Sequence, residues 1–158
     1  MTMVLSTTLG RNVIDVGDAR RLGTVQSLVV DARRTRITAL RLHGAKSGAG
    51  LIAWADLQAV GPDAVIVDAA RTTPVTVTDR EEEELLGKRL LTELGEDIGT
   101  LDDLSFHPDS GLIHTLFTSH GHQLAGSRLL GAGSYAVVVR GLPPEAPKAP
   151  EVRETSPR

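Results

Sequence analysis

The sequence predicts an all-β protein made of two small β-barrels in tandem, followed by a disordered C-terminal tail. Three observations lead to this fold class. One pattern of residues occurs twice along the chain of 158 residues, about 76 positions apart. Short runs rich in Val, Ile and Leu alternate with glycine-containing, charged turns, which is typical of β-strands. No periodic run inside the two copies is long enough for a substantial helix.

The two copies match at both of their ends. The stretch "LGRNVIDVGDARRLGTVQSLVVD" from Leu9 resembles "LGKRLLTELGEDIGTLDDLSF" from Leu86, and "AWADLQAVGPDAVIV" aligns without a gap on "AGSRLLGAGSYAVVV". Glycine recurs where a turn needs positive φ or where two backbones approach closely. The glycines that coincide are Gly10 with Gly87, Gly23 with Gly99, and Gly61 with Gly133. We infer that a unit of about 60 residues was duplicated.

Each copy predicts the same series of short strands. In the first copy the strands are expected at 13–14, 24–31, 36–42, 51–54 and 64–67, with one helical turn within 55–61. In the second copy they are expected at 90–91, 100–106 and 113–118. The segment "HPDSG" at 107–111 predicts a tight turn, because proline presets φ and glycine supplies a left-handed position.

Sheet edges and segment composition define the expected domains. Closing a small sheet into a barrel removes its exposed edges, so we expect barrels at residues 1–67 and 85–140. Units this small are marginally stable alone, so they should pack on each other or on another chain. Residues 68–84 form an acidic linker, in which "PVTVT" could add an edge strand and Asp79 could cap a short helix. Residues 141–158, rich in Pro, Glu and Ala, should be disordered.

Four pieces of the sequence resemble the PRC-barrel family. They are the leading Leu-Gly-basic, the Gly-Thr-Val strand, the "VVD" strand end, and the I-x-W-x-D-L element at 52–57. The second copy keeps the first three approximately, but has Gly126 in place of Trp54 and Arg128 in place of Asp56. The family includes the cytoplasmic barrel of the photosynthetic reaction-centre H subunit and a domain of a ribosome maturation factor. The resemblance implies a barrel that contacts other proteins in an assembly and does not catalyse a reaction.

Composition narrows the class of protein. Hydrophobic residues make up 41% and charged residues 23% of the chain, which is ordinary for a soluble globular protein. The absence of cysteine excludes disulfides and thiolate metal sites. No apolar run approaches the roughly 20 residues of a membrane-spanning helix, and no secretory signal is visible. We therefore expect a cytoplasmic protein without a transmembrane segment, for which peripheral association with a membrane complex is conceivable by resemblance.

Residues that could carry chemistry are few. Four histidines lie close together in the sequence, and His120 and His122 are the candidate metal ligands, but zinc usually takes three or four ligands. "GAGSYA" lacks the closing glycine of a nucleophile elbow, and "GAKSGAG" at 44–50 fails the phosphate-loop pattern. We therefore predict no enzyme, no cofactor and no metal.

Charge indicates what kind of partner to expect. The net charge is −3, and no aromatic residues are interleaved with the arginines, so nucleic-acid binding is disfavoured. Residues 9–67 hold eight Lys and Arg against five Asp and Glu, whereas residues 85–139 hold three against six. Oppositely charged halves favour packing on each other, within one chain or between two chains of a homo-oligomer. Drift of the sequence after duplication is the alternative explanation of this division.

The leading hypothesis is a non-enzymatic adaptor or scaffold that assembles with a larger protein complex. Trp54 is either part of that partner surface or a core anchor at a strand end. The candidate partner-binding residues are Arg33, Arg34, Arg36, Lys46, Ser47 and Trp54. One alternative is a sensor of a small ligand or metal ion that uses the cleft between the barrels or the His120/His122 loop. Another alternative is an accessory protein of ribosome or RNA processing.

Overall fold

The computed structural model describes residues 2–44, 50–71 and 85–141. The chain begins with a two-residue strand, β1 (Met3–Val4), and a single helical turn, α1 (Leu5–Thr8). The first copy of the repeat then forms β2 (Asn12–Asp15), β3 (Arg21–Asp31), β4 (Arg36–His43), β5 (Leu51–Ala53), β6 (Leu57–Val60) and β7 (Ala64–Val67). A 3₁₀ turn (Trp54–Asp56) joins β5 to β6, and another (Ala69–Arg71) follows β7.

The second copy repeats this order of elements. It forms β8 (Arg89–Thr92), β9 (Asp97–Phe106), β10 (Ile113–Thr118), β11 (Gln123–Ala125), β12 (Leu129–Ala132) and β13 (Ala136–Val139), with a 3₁₀ turn (Gly126–Arg128) between β11 and β12. The strand order is β5-β4-β3-β2-β7-β6 in the first sheet and β11-β10-β9-β8-β13-β12 in the second. The expected duplication of an all-β unit is confirmed at the level of element order and strand pairing.

The Leu-Gly-basic motif fastens the start of each unit to its end. Arg11 donates from its guanidinium to the carbonyl of Gly61 at 2.7 Å, and the Lys88 ammonium donates to the carbonyl of Gly133 at 2.7 Å. Both acceptors lie in the turn before the last strand of their unit. That strand pairs in parallel with the strand after the motif, β7 with β2 and β13 with β8. The duplicated motif is therefore a contact that holds the first and last strands together.

Strand pairing among the described residues leaves both sheets open. The edge strands are β5 and β6 in the first sheet and β11 and β12 in the second. In each sheet the two edge strands follow one another in the chain, separated only by a 3₁₀ turn. No ladder between described strands closes either sheet, so the closed form of the barrels stays a prediction.

The first residues of the chain lie on the second sheet. β1 pairs antiparallel with the end of β9, Met3 opposite Phe106 and Val4 opposite Ser105. The backbone N–H of Ser6 donates to the Asp103 carboxylate at 3.0 Å, and the Ser6 hydroxyl donates to the same group. The segment expected to belong to the first barrel is thus an arm that reaches the second unit.

Buried side chains form one continuous core across both sheets. Val13, Val30 and Ile37 of the first unit are completely buried, as are Leu90 and Leu104 of the second. Aliphatic residues fill this core, as the 3% aromatic content requires. The two units therefore pack on each other within one chain, which is one of the two arrangements that we expected.

Some expectations need correction or lie outside the described residues. The helical turn expected within 55–61 is a 3₁₀ turn that ends at Asp56, and Leu57–Val60 is a strand, because its backbone pairs with β7. The expected strand in "PVTVT", the cap at Asp79 and the tail beyond residue 141 lie outside the described residues. Within the described part of the chain, no helix is long and apolar enough to cross a membrane.

Candidate functional site

The two units meet through the loops that join the second and third strand of each sheet. The backbone N–H of Ile37 donates to the carbonyl of Gly111 at 2.8 Å, and the N–H of Ile113 donates to the carbonyl of Thr35 at 2.9 Å. Between these two bonds, Arg36 and Leu112 face each other in an antiparallel bridge. We call this contact of residues 35–37 with residues 111–113 the junction.

Trp54 packs against the buried side of the junction. Its ring meets Phe106 edge to face, and its indole N–H donates to the carbonyl of Pro108 at 3.1 Å. A Cβ atom at Gly111 would lie 3.1 Å from the indole and 2.6 Å from the Ile37 carbonyl oxygen. Glycine at position 111 is therefore what lets the hairpin of the second unit approach the tryptophan of the first.

The outer side of the junction is exposed and basic. Ile37 and Ile113 are buried, and because side chains alternate along a strand, their neighbours Arg36 and Leu112 point to the opposite side. Arg36 is exposed, and Leu112 is 39% exposed. We define the junction face as these two residues together with the adjoining residues Arg33, Arg34, His107 and His114.

Asp31 shapes the turn that presents two of the arginines. Its carboxylate accepts the backbone N–H groups of Arg33 at 3.1 Å and Arg34 at 3.3 Å. It also forms an ion pair with the Arg34 guanidinium at 3.5 Å. This ion pair is solvent-exposed, and such pairs contribute little to stability, so the backbone contacts are what fix the turn. Both arginine side chains remain exposed to solvent.

His107 and His114 lie side by side next to the bridge. Their rings meet edge to face with centroids 5.2 Å apart and planes at 87°. The register of β9 and β10 shifts between Ile113 and Thr115, so the backbone at His114 bulges. The Nδ1 atom of His114 lies 2.7 Å from the Thr115 hydroxyl oxygen. The pair adds two imidazole rings next to the bridge between Arg36 and Leu112.

The structure separates the candidate partner-binding residues into three groups. Arg33, Arg34 and Arg36 are all exposed and lie in or directly after the turn between β3 and β4, at the junction. Lys46 and Ser47 lie outside the described residues. Trp54 is only 6% exposed, which fits the interpretation of a core anchor and removes it from any exposed surface.

The candidate metal ligands lie in a different place. His120 and His122 belong to the turn between β10 and β11, where the backbone of His122 bonds to Thr118. The His120 ring packs on Gly99, where a Cβ atom would lie 2.7 Å from it. Across the described ranges, no three His, Cys, Asp or Glu side chains gather so that they could hold a metal ion. The sensor hypothesis gains no support from these two histidines.

Sequence reasoning missed the contributions of Leu112, His107 and His114 to this surface. It treated the "HPDSG" turn only as a local hairpin, because nothing in a short sequence window shows which loop of the other copy it meets. One signal was available: Ile37 and Ile113 occupy matching positions in the two copies, and both follow a turn. The chain matches no family model, and no curated protein is significantly similar to it.

Proposed function

We propose that this chain is a non-enzymatic adaptor, made of two PRC-type barrels, that docks on a protein partner through the junction face. The observation that carries the proposal is the bridge between exposed Arg36 and exposed Leu112, which is flanked by backbone bonds between the two units. The turn that directly precedes Arg36 adds exposed Arg33 and Arg34. Arginine is enriched in protein–protein interfaces, often next to apolar groups. The resemblance to the PRC-barrel family supports the same class of function, in the cytoplasm.

The support beneath this surface favours binding without large rearrangement. Arg36 and Leu112 lie between two hydrogen bonds, and the residues that follow them, Ile37 and Ile113, are buried. The Arg33–Arg34 turn is fixed by Asp31. A surface that is already in its bound shape loses less conformational entropy when a partner docks. The backbone bonds that fix the junction face support the proposal on this ground.

Charge indicates the chemistry of the partner surface. Three arginines and two histidines of the junction face are accompanied nearby by Asp31 and Asp109, so the cluster is net basic. An acidic protein surface with an apolar residue opposite Leu112 would complement it. Nucleic acid is a weaker candidate, because the whole chain carries a net charge of −3 and the cluster has no Phe, Tyr or Trp on which bases could stack.

A charge-reversal comparison tests the proposal. Tagged wild type, R33E/R34E and R20E/R21E are used to capture proteins from a lysate of the native host, followed by mass spectrometry. The second pair is a matched control: Arg20 and Arg21 are also exposed and adjacent. Arg20, like Arg34, forms an ion pair with a nearby aspartate. The control pair lies at the opposite end of β3.

The outcome separates a specific surface from general charge. We expect a partner that wild type and R20E/R21E capture and that R33E/R34E loses by at least about tenfold, which corresponds to about 1.4 kcal/mol. Equal capture by all three proteins would reject the junction face as the docking surface. Capture of RNA alone, abolished by nuclease, would point to the alternative RNA-accessory role.

A further inference from the structure

The contacts at the junction are reciprocal. Ile37 donates to Gly111 as Ile113 donates to Thr35, and the flanked pair is Arg36 with Leu112. Residues 35, 36 and 37 of the first unit correspond in the repeat to residues 111, 112 and 113 of the second. Arg36 faces its own counterpart, Leu112. The Ile37–Gly111 bond and the Ile113–Thr35 bond are counterparts of each other. A two-fold operation that exchanges the units therefore maps these contacts onto themselves. This is the isologous geometry of a symmetric dimer, formed inside one chain.

Only unlike units fit together well at this contact. In a pair of two first units, Thr35 would replace Gly111, and its side chain would meet the Ile37 carbonyl and the indole of Trp54, which leave no room for a Cβ atom. In a pair of two second units, Gly126 would replace Trp54 and leave the space beside Phe106 empty. The charges agree with this preference, with eight basic against five acidic residues in the first unit and three against six in the second.

We propose that two copies of this chain exchange halves, so that the first unit of each copy docks on the second unit of the other through the same junction. The first sheet is built from strands of its own unit, and the second takes only β1 from the N-terminal arm. Apart from β1, each unit therefore builds its sheet from its own strands, whether its partner unit comes from the same copy or from the other one. Residues 68–84 connect the units, and their length sets the balance between the closed chain and the exchanged dimer.

Concentration should control this balance. The exchanged dimer repeats every junction contact of the closed chain, so the two forms differ mainly in connector entropy and in the cost of association. For two units tethered in one chain, the effective concentration of the intrachain contact is about 1 mM. Closed chains therefore dominate in dilute solution, and exchange becomes substantial when chains refold at comparable concentrations. The inference does not rest on the adaptor function, although a dimer would present two junction faces.

Cysteine pairs at the bridge test the exchange directly. The chain has no cysteine, and the side chains of Arg36 and Leu112 are both exposed. Hydrogen bonds flank this pair on both sides, which makes it a non-hydrogen-bonded pair, with Cα atoms about 4.5 Å apart, within the range for a disulfide. The R36C chain and the L112C chain are mixed, refolded together at about 5 or about 500 µM, oxidised, and analysed without reductant.

A disulfide between an R36C chain and an L112C chain can form at this bridge only if halves are exchanged. We expect this mixed dimer after refolding at high concentration and little of it at low concentration. R36C alone should give few disulfide dimers, because two first units do not fit. As a control for random oxidation, R36C is mixed with L94C, which places the thiol in an exposed turn at the other end of β9.

Wild-type protein gives a second measurement that does not depend on the substitutions. Sedimentation after refolding at high concentration should show a species of twice the chain mass of 16.8 kDa. Failure to form the mixed dimer, together with a single-chain mass at both concentrations, would overturn the proposal. R36C dimers as abundant as mixed dimers would also overturn it, because they would show pairing of like units. Loss of partner capture would affect the adaptor proposal alone.

Discussion

Trp54 of the first unit and Phe106 of the second meet edge to face, with ring centroids 5.6 Å apart and planes at 85°. Aromatic pairs in this arrangement contribute about 0.5–1.5 kcal/mol beyond the area that they bury. Trp54 is also the only tryptophan of the chain. Its fluorescence therefore reports on the junction and on no other part of the protein.

This relationship gives the first prediction. Because one continuous core joins both sheets, the junction and the sheets should unfold in one cooperative transition. We expect urea midpoints from Trp54 fluorescence and from far-UV circular dichroism to coincide. A fluorescence change that precedes the loss of β-structure would show instead that the units separate before either one unfolds.

A second prediction concerns the glycine that faces Trp54. Gly111 and Gly121 both have positive φ, +78° and +81°, but only Gly111 lacks space for a Cβ atom. Gly121→Ala should cost about 1–2 kcal/mol of unfolding free energy from backbone strain alone. Gly111→Ala adds a clash with the Ile37 carbonyl and should cost about 2–4 kcal/mol. Urea denaturation measures both.

The matched pair isolates the junction from the strain of the turn. Gly111→Ala should also shift Trp54 emission to longer wavelength, because the displaced hairpin lets water reach the indole. Gly121→Ala should leave the emission unchanged. Equal losses of stability in the two variants, with unchanged emission in both, would contradict the packing described for Gly111.

The replacement of tryptophan by glycine between the two copies gives a third prediction. Gly126 stands at the position of Trp54, and a Cβ atom there would lie 2.3 Å from the Ile113 carbonyl oxygen. Gly126→Ala should therefore cost about 2–4 kcal/mol. Gly131 lies five residues further on in β12, and a Cβ atom there would meet nothing within 4 Å. Gly131→Ala should change stability by less than about 1 kcal/mol, and a similar loss in both variants would show that the space around Gly126 is not limiting.

Much of the fold could be predicted because local patterns repeat. The strands expected at 24–31 and 36–42 are found as β3 and β4 within a few residues. The β6 strand was missed although "ADLQA" alternates apolar and polar residues, because the strand has only four residues and follows a helical turn directly. The pairing of its backbone with β7 decides its conformation. Strand identity was thus predictable for the long strands and hidden for a short strand next to a turn.

The candidate site was only partly predictable, for a related reason. The arginine cluster is visible in the sequence because its members are neighbours in the chain. Leu112 joins Arg36 only through the folded junction, and the replacement of Trp54 by Gly126 looked like simple divergence. The sequence shows that these two positions hold different residues. It does not show that Trp54 packs on the hairpin of the other unit, whereas Gly126 lies against the Ile113 carbonyl of its own unit. Contacts between loops far apart in sequence have no local signature.

The Leu-Gly-basic motif supports a fourth prediction. The Lys88 ammonium donates to the Gly133 carbonyl, and hydrogen bonds from charged groups contribute about 1.5–3 kcal/mol when they are shielded from water. Lys88→Met keeps most of the aliphatic stem and removes the donor, so we expect a loss of about 1–2 kcal/mol in the partly buried setting.

Removal of an exposed cation in the same unit is the control for this change. Arg140 is exposed, and Arg140→Met should alter the urea midpoint only slightly, since surface charges contribute little. If Lys88→Met changed the urea midpoint as little as Arg140→Met, the hydrogen bond from Lys88 to Gly133 would not stabilise the unit.

Acid sensitivity is the fifth prediction, and it depends on two aspartates at strand ends, Asp15 and Asp97. Hydrogen bonds from the backbone N–H groups of Gly17 and Ala69 lower the pKa of Asp15 below its usual value. A hydrogen bond from the Gly99 N–H, together with the Arg89 guanidinium, lowers the pKa of Asp97. Each carboxylate is therefore held in its charged form more strongly in the folded chain than in the unfolded chain.

The sign of the effect follows from linkage. A group whose pKa is lower in the folded state contributes stability above its unfolded pKa of about 3.9, and that contribution disappears as the pH falls through the folded pKa. Wild type should therefore lose stability progressively below about pH 4, and Asp97→Asn should flatten this slope, with a smaller difference from wild type at acid pH than at neutral pH. Asp102→Asn, an exposed change on the same strand, is the control. The measurement is the urea midpoint as a function of pH, from pH 7 downwards. Parallel curves for wild type and Asp97→Asn would show that protonation of Asp97 does not contribute to the loss of stability in acid.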